Sequence, residues 1–167
     1  MTIFEKFKPN LTPKQILFEG AFGGSYFGVE DLKGDYDYQS LFQETLVDIP
    51  TMFYLQPKYN TGINKFKTKS GMGYEYWLDK GWIHEDDPYG WFEWYLKYYN
   101  GRRHQDDERQ INRWLGVCGP KGRWRNRVYS NIIQKNDKNV SPRIQQTLLH
   151  WGYRVNENDL ETFKQNI

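Results

Sequence analysis

The chain has a single cysteine, Cys118, and nowhere a run of eighteen apolar residues. A lone thiol closes no intramolecular disulfide and cannot by itself complete a structural zinc site, so a reducing compartment is expected. The lack of a long apolar run excludes an ordinary membrane span. The first fifteen residues, MTIFEKFKPNLTPKQ, carry charges at positions 5, 6 and 8 and lack the apolar core of a signal peptide. These absences together point to a cytoplasmic protein with no membrane partner. Also missing are HExxH, GxSxG, a paired-carboxylate pattern and a true P-loop: Gly23-Gly24 is followed by Ser-Tyr, not by Lys-Ser/Thr. No complete catalytic or cofactor motif is present, and neither cofactor nor metal is expected.

Aromatic residues are plentiful instead. Seven Trp, thirteen Tyr and ten Phe make 18% of the chain, so few residues carry a large apolar area and 167 residues suffice for one self-folding domain, 1–167. Charge is unevenly placed. Residues 101–127 hold eight Lys/Arg against three acids, a local +5 that leaves −3 elsewhere in a chain of net +2. Within that segment Arg outnumbers Lys seven to one, a bias toward the residue that meets phosphate or carboxylate in a planar, two-pronged fashion.

Start and stop signals outline a mainly α-helical, compact and irregular domain with a loop-rich N-terminal half. Thr12-Pro13 opens a short helix that stops at Gly20, and the five glycines from Gly20 to Gly34 mark turns and close backbone approach. An amphipathic helix is expected over Gln39–Val47, then an extended excursion or hairpin over 49–72, and one or two helical turns at 74–83 closed by Gly81. Asp86-Asp87-Pro88 reads as an acidic cap with proline at the first helical position. The helix it opens, about 89–99, puts Trp91, Phe92, Tyr95, Leu96 and Tyr99 on one face and Trp94 and Tyr98 on another. A helix aromatic nearly all round belongs at the centre of a core. Asn100-Gly101 ends it.

Two helices follow, about Asp106–Leu115 with Ile111, Trp114 and Leu115 inward, and Lys121–Gln134 with Trp124, Val128, Ile132 and Tyr129 inward; Gly116 and Gly119-Pro120 separate them. Arg109 and Arg113 share a face at i, i+4. After a polar loop, Ser141-Pro142 opens a helix with Ile144, Leu148 and Trp151 on one stripe and Arg143, Gln146 and His150 close to a second, polar one. A short helix over Asp159–Gln165 closes the chain.

The functional candidates follow from this layout. Arg102, Arg103, Arg109, Arg113, Lys121, Arg123, Arg125 and Arg127 are candidate contacts to a nucleic acid or another phosphate-bearing ligand, next to an aromatic block able to stack on bases. Ion pairing with the nearby Asp86, Asp87, Asp106, Asp107 and Glu108 is the bland alternative. An enzymatic reading joins these arginines to His150 as acid or base, with Asp106 as a candidate acid. A third reading is a viral structural or protein-interaction module with the aromatics as its contact surface. His84 and His104 each stand beside acids, but neither spacing is a metal-ligand pattern, and the acids suit helix starts.

The blocks GAFGGSYF (20–27), DPYGWFEWYLKYYNGRR (87–103), DDERQINRWLG (106–116), GPKGRWRNRV (119–128) and SPRIQQTLLHWGY (141–153) resemble an uncharacterised family of small proteins found in fungi, algae, large DNA viruses and tailed phages. The resemblance spans most of the chain and implies kinship without an activity. A viral member would work in the host cytoplasm. One departure is Gly28, where an arginine would be expected after GGSYF, so no role is carried to that position.

Overall fold

A computed structural model describes residues 1–28, 32–70 and 74–167. The helices run α1 Ile3–Lys6, α2 Pro13–Phe18, α3 Tyr38–Thr45, α4 Tyr74–Asp79, α5 Trp91–Tyr99, α6 Asp107–Cys118, α7 Arg123–Lys135, α8 Pro142–His150 and α9 Glu157–Gln165. Two 3-10 turns, Thr51–Phe53 and Thr61–Ile63, lie between α3 and α4. The domain is mainly α, and no strand forms among the described residues. None of their helices is long and apolar enough to cross a membrane.

α5 is the core helix. Trp91, Phe92, Trp94, Tyr95 and Leu96 are all buried, and the helix packs between α2 and α6. Each large polar-tipped ring finds a partner for its tip: Trp91 Nε1 donates to Gln110 O (3.2 Å), Trp94 Nε1 to Asp107 Oδ1 (2.8 Å) and the Tyr95 hydroxyl to Leu11 O (2.7 Å). Burial of so much aromatic surface therefore strands none of these donors. α6 then packs on α1 and α7, and α7 on α8 and α9. Cys118 closes α6 fully buried, which pushes its thiol pKa well up and makes it a small core residue.

Several local expectations are met. Thr12 caps α2 in a reciprocal box with Gln15, and Asn100-Gly101 ends α5 with Gly101 at φ 106°. Pro142 sits in the first turn of α8, although Ser141 caps it in a left-handed conformation without a side-chain bond. The one-turn α1, held by a Thr2–Glu5 capping box, was not anticipated.

Other expectations need correction. α5 begins at Trp91 behind Gly90, at φ 101°, not at Asp87-Pro88. Asp87 is instead fully buried in an ion cluster, a long-range demand that overrides a local cap signal. Gly116 lies inside α6, exposed and crowding nothing, so it is tolerated there and Gly119 ends the helix. Tyr99 is solvent-exposed.

The expected hairpin over 49–72 forms no strand among its described residues; positions 71 and 72, like 29–31 of the glycine segment, lie outside them. In its place, residues 51–60 lie directly on the glycine segment, with Gln56 N–H donating to Gly24 O and Asn60 N–H to Gly23 O (both 2.8 Å). That approach also explains Gly28. A Cβ there would meet Gln56 O at 1.7 Å, so no side chain is admissible.

Candidate functional site

Two groups of cations stand in contrasting settings. In the first, Lys97 is buried on α5 and donates to Glu93 Oε2 (2.6 Å), Asp87 Oδ1 (3.0 Å) and Asp86 O (3.0 Å). Arg102 grips Asp87 with both prongs, NH1 to Oδ1 at 2.9 Å and NH2 to Oδ2 at 2.7 Å. Glu93 also accepts from the Tyr38 hydroxyl (2.5 Å) and Tyr89 N–H (2.9 Å). Two carboxylates thus face two cations, as burial of charge requires. Burial raises the Glu93 pKa, against the opposing pull of Lys97. Burial likewise works to lower that of Arg102, but its bonds to Asp87 prevail and raise it.

The second setting is a cleft of about 810 Å³ between α5, α6, α7, α8 and the 76–83 segment. Its walls are aromatic, including Trp82, Trp91, Trp124, Trp151, Tyr26 and Phe92, and its cations are Arg113, Arg123 and Arg143. No carboxylate lines it among the described residues. The helical period explains the grouping. Arg143, Thr147 and His150 lie at i, i+4, i+7 on one face of α8, while Arg113 shares a face with Gly116 and Val117 of α6. Arg123 and Trp124 come from the first turn of α7, whose N-cap, Gly122, gives no side-chain bond.

Arg113 is the most informative of the three. Its half-buried guanidinium lies 5.3 Å from the Trp82 ring and 5.2 Å from the Trp151 ring. Its hydrogen bonds go to neutral acceptors, Gln110 Oε1 at 2.9 Å and Trp82 O at 3.4 Å. Burial, with repulsion from Arg109, pulls its pKa down to about 10. It stays a cation at neutral pH, poorly hydrated and without a carboxylate of its own. Arg123 stacks on Trp124 at 5.1 Å. The guanidinia of Arg123 and Arg143 meet no carboxylate among the described residues, and both side chains are exposed.

His150 also lines the cleft. Its ring stacks on Phe22 at 4.8 Å, and its buried Nε2 has no hydrogen-bond partner. Burial draws its pKa down to about 4, opposed by a hydrogen bond to the Ala21 backbone, so at neutral pH it is an uncharged imidazole.

The remaining sequence candidates lie elsewhere. Arg102 belongs to the buried cluster. Arg103 stacks on Tyr98 at 3.8 Å and donates to Tyr98 O and Arg102 O. Arg109 holds Asp106 through Nε at 2.6 Å and NH2 at 2.9 Å. Asp106 also accepts from Gln110 and is not among the cleft-lining residues. Burial works to raise the Asp106 pKa, yet its bonds to Arg109 hold it below the usual carboxylate range. Arg125 faces Asp159 at 3.5 Å and stacks on Tyr153. Lys121 and Arg127 are exposed outside the cleft. Only Arg113, Arg123 and His150 of the sequence candidates come together there. Arg143 had been placed near His150 but not among the ligand contacts, and Trp82 and Trp151 were not singled out. The one local signal for Arg143 was its shared helix face with His150.

The ligand atoms of His84, Asp86 and His104 lie within 4.8 Å of one another, a spacing that suits a metal ion. Their hydrogen bonds do not suit one. Asp86 N–H donates to His84 Nδ1 and Asp106 N–H to His104 Nδ1, both at 3.0 Å. A neutral imidazole whose Nδ1 accepts carries its hydrogen on Nε2, and His104 Nε2 turns that hydrogen to Asp86 Oδ2 at 2.7 Å. Presenting a lone pair to a metal would force a hydrogen onto Nδ1, against a backbone donor. The His104 bond also lowers the Asp86 pKa.

Set against family models, curated proteins and solved structures, the chain matches none. Its helices and this cleft define a mainly α-helical protein with a cationic, aromatic-walled cleft.

Proposed function

We propose that the protein binds a phosphate-bearing ligand, a nucleic acid or a nucleotide, in the cleft, with Arg113, Arg123 and Arg143 as the phosphate contacts. The observation that supports this reading best is Arg113, a half-buried cation between two indoles that makes no direct ion pair among the described residues, with Asp106 reaching it only through Gln110. A fold that matches its other inward cations with acids has left this one for an anion from outside. The aromatic walls favour flat groups beside the phosphate. A concave site favours a single strand or a mononucleotide over a duplex lying on a convex face.

The test is fluorescence anisotropy of a labelled single-stranded oligonucleotide over a salt series. Three phosphate contacts give a log–log slope of roughly −2, and Arg113→Gln flattens it by about 0.7 while weakening binding about tenfold at low salt. Absence of binding at low salt, to the oligonucleotide and to nucleoside phosphates alike, rejects the reading.

A further inference from the structure

Resting on that reading, we propose that the ligand is a single-stranded polynucleotide and not a free nucleotide. The cleft holds a short run of the strand, with phosphates at the arginines and bases stacked on the indoles beside them.

Size is the first observation. A nucleoside monophosphate has about two dozen non-hydrogen atoms and, packed as densely as organic solids are, fills roughly 300 Å³. The cleft measures about 810 Å³. One nucleotide would leave more than half of that space to water, whereas about three would fill it, and binding sites bury most of what they hold.

The second observation is the make-up of the walls. Arg113 stands between Trp82 and Trp151, at 5.3 and 5.2 Å, and Arg123 stands against Trp124 at 5.1 Å. Arg143 comes from a third helix, α8, on the face that carries Thr147. Cations and rings are thus interleaved over α6, α7 and α8. A single strand interleaves phosphates and bases in the same way.

The indoles are also open to a ligand. Trp82 is 37% exposed, and Trp124 and Trp151 are partly exposed, whereas Trp91, which also lines the cleft, is 6% exposed. Large rings left accessible beside cations are platforms on which bases stack. A duplex keeps its base faces inside its own stack, and a single strand can splay them out. Recognition rests on stacking and charge alone, with His150 Nε2 buried out of a ligand's reach.

Intrinsic tryptophan fluorescence reads binding directly, because four tryptophans line the cleft, Trp82, Trp91, Trp124 and Trp151. The full chain is titrated at low salt with adenosine monophosphate and with 5′-phosphorylated adenylate dimers, trimers and hexamers. Affinity should rise at least about tenfold from monophosphate to dimer and again to trimer, then by no more than about fivefold to hexamer. An abasic trimer with the same phosphates should bind at least about tenfold more weakly than the adenylate trimer. Trp82→Leu, at an exposed ring, should weaken the adenylate trimer about tenfold and the abasic trimer by less than about threefold. Ribose and deoxyribose series run in parallel identify the strand: the tighter one names RNA or DNA, equality marks a site indifferent to the sugar, and each supports the proposal. Monophosphate binding as tight as the trimer overturns the strand and leaves the phosphate reading standing, whether or not the variant folds. An abasic trimer as tight as the adenylate one overturns stacking, and a folded Trp82→Leu that binds the adenylate trimer undiminished overturns the role of Trp82. A gain that continues as steeply to the hexamer overturns the cleft as the extent of the site. Failure of every probe at low salt removes both readings.

Discussion

The buried cluster around Lys97 and the cleft around Arg113 draw on the same stretch of chain and treat charge in opposite ways. In the cluster, Lys97 and Arg102 meet Asp87 and Glu93 at 2.6–3.0 Å, and the Tyr38 hydroxyl, the Tyr89 N–H and the Asp86 carbonyl complete the bonds. In the cleft, three arginines stand among aromatic rings with no acid among the described lining residues. Pairing is what allows charge into a core, so the cluster serves stability. A partly desolvated cation without an ion-pair partner gains no such pairing from the fold, and under the proposed function a ligand supplies its counter-charge. The difference separates arginines that hold the fold together from arginines held out by it.

The largest expected effect breaks the paired side. Asp87→Ala takes from Arg102 its paired carboxylate and from Lys97 one of two, and should lower unfolding free energy by about 3–5 kcal/mol, measured by chemical denaturation. A loss below about 1 kcal/mol would mean the cluster is not holding α5 to the segment before it.

A smaller effect comes from pH on the cleft side. The unfolded chain protonates His150 near the ordinary histidine value of about 6.5, whereas the folded chain refuses that proton until pH 4 or so. Stability is therefore unaffected above about 6.5 and falls as pH drops from there toward 4, by at most about 3 kcal/mol from this group. His150→Phe should remove that component, read as the difference between the two denaturation profiles. Asp86, Asp106 and Asp159 are held below the usual carboxylate range, so their contribution falls away only at lower pH and is common to both chains. Parallel profiles between pH 7 and 4 would contradict the neutral, buried imidazole.

Smaller again, Arg127→Ala and Lys121→Ala should each change stability by no more than about 0.5 kcal/mol, being exposed and outside the cleft. Neither should weaken the low-salt affinity as Arg123→Ala does. Least of all, chelator should leave the melting temperature unmoved, because His84 Nδ1 and His104 Nδ1 each accept a backbone N–H and His104 Nε2 turns its hydrogen to Asp86.

Much of the fold was legible in the sequence because helix ends are written locally. Thr12-Pro13, Asn100-Gly101 and Ser141-Pro142 mark real boundaries, and the dense aromatic run correctly placed α5 in the core. Local grammar misled where a distant partner intervened. Asp87 looks like a cap until Arg102 and Lys97 fold onto it, and Gly116 looks like a break although nothing crowds it inside α6. The cleft was legible only in part for the same reason. Which arginine receives a carboxylate is settled by contacts between distant residues, such as Arg125 with Asp159, that spacing along one helix does not reveal. Arg113 and Arg109 look alike in sequence, one turn apart on α6, yet Arg109 has Asp106 and Arg113 has two indoles.

The most direct measurement is the melting temperature of the unaltered chain and of Arg113→Gln, each at low ionic strength with and without a saturating phosphate ligand such as adenosine monophosphate. If Arg113 is kept for an anion, the variant melts at or above the unaltered chain without ligand, and only the unaltered chain gains substantially when ligand is added, about 2.7 kcal/mol at a hundredfold excess over Kd. A variant clearly less stable than the unaltered chain without ligand, with both responding equally to adenosine monophosphate, would show that Arg113 is a structural cation like Arg102.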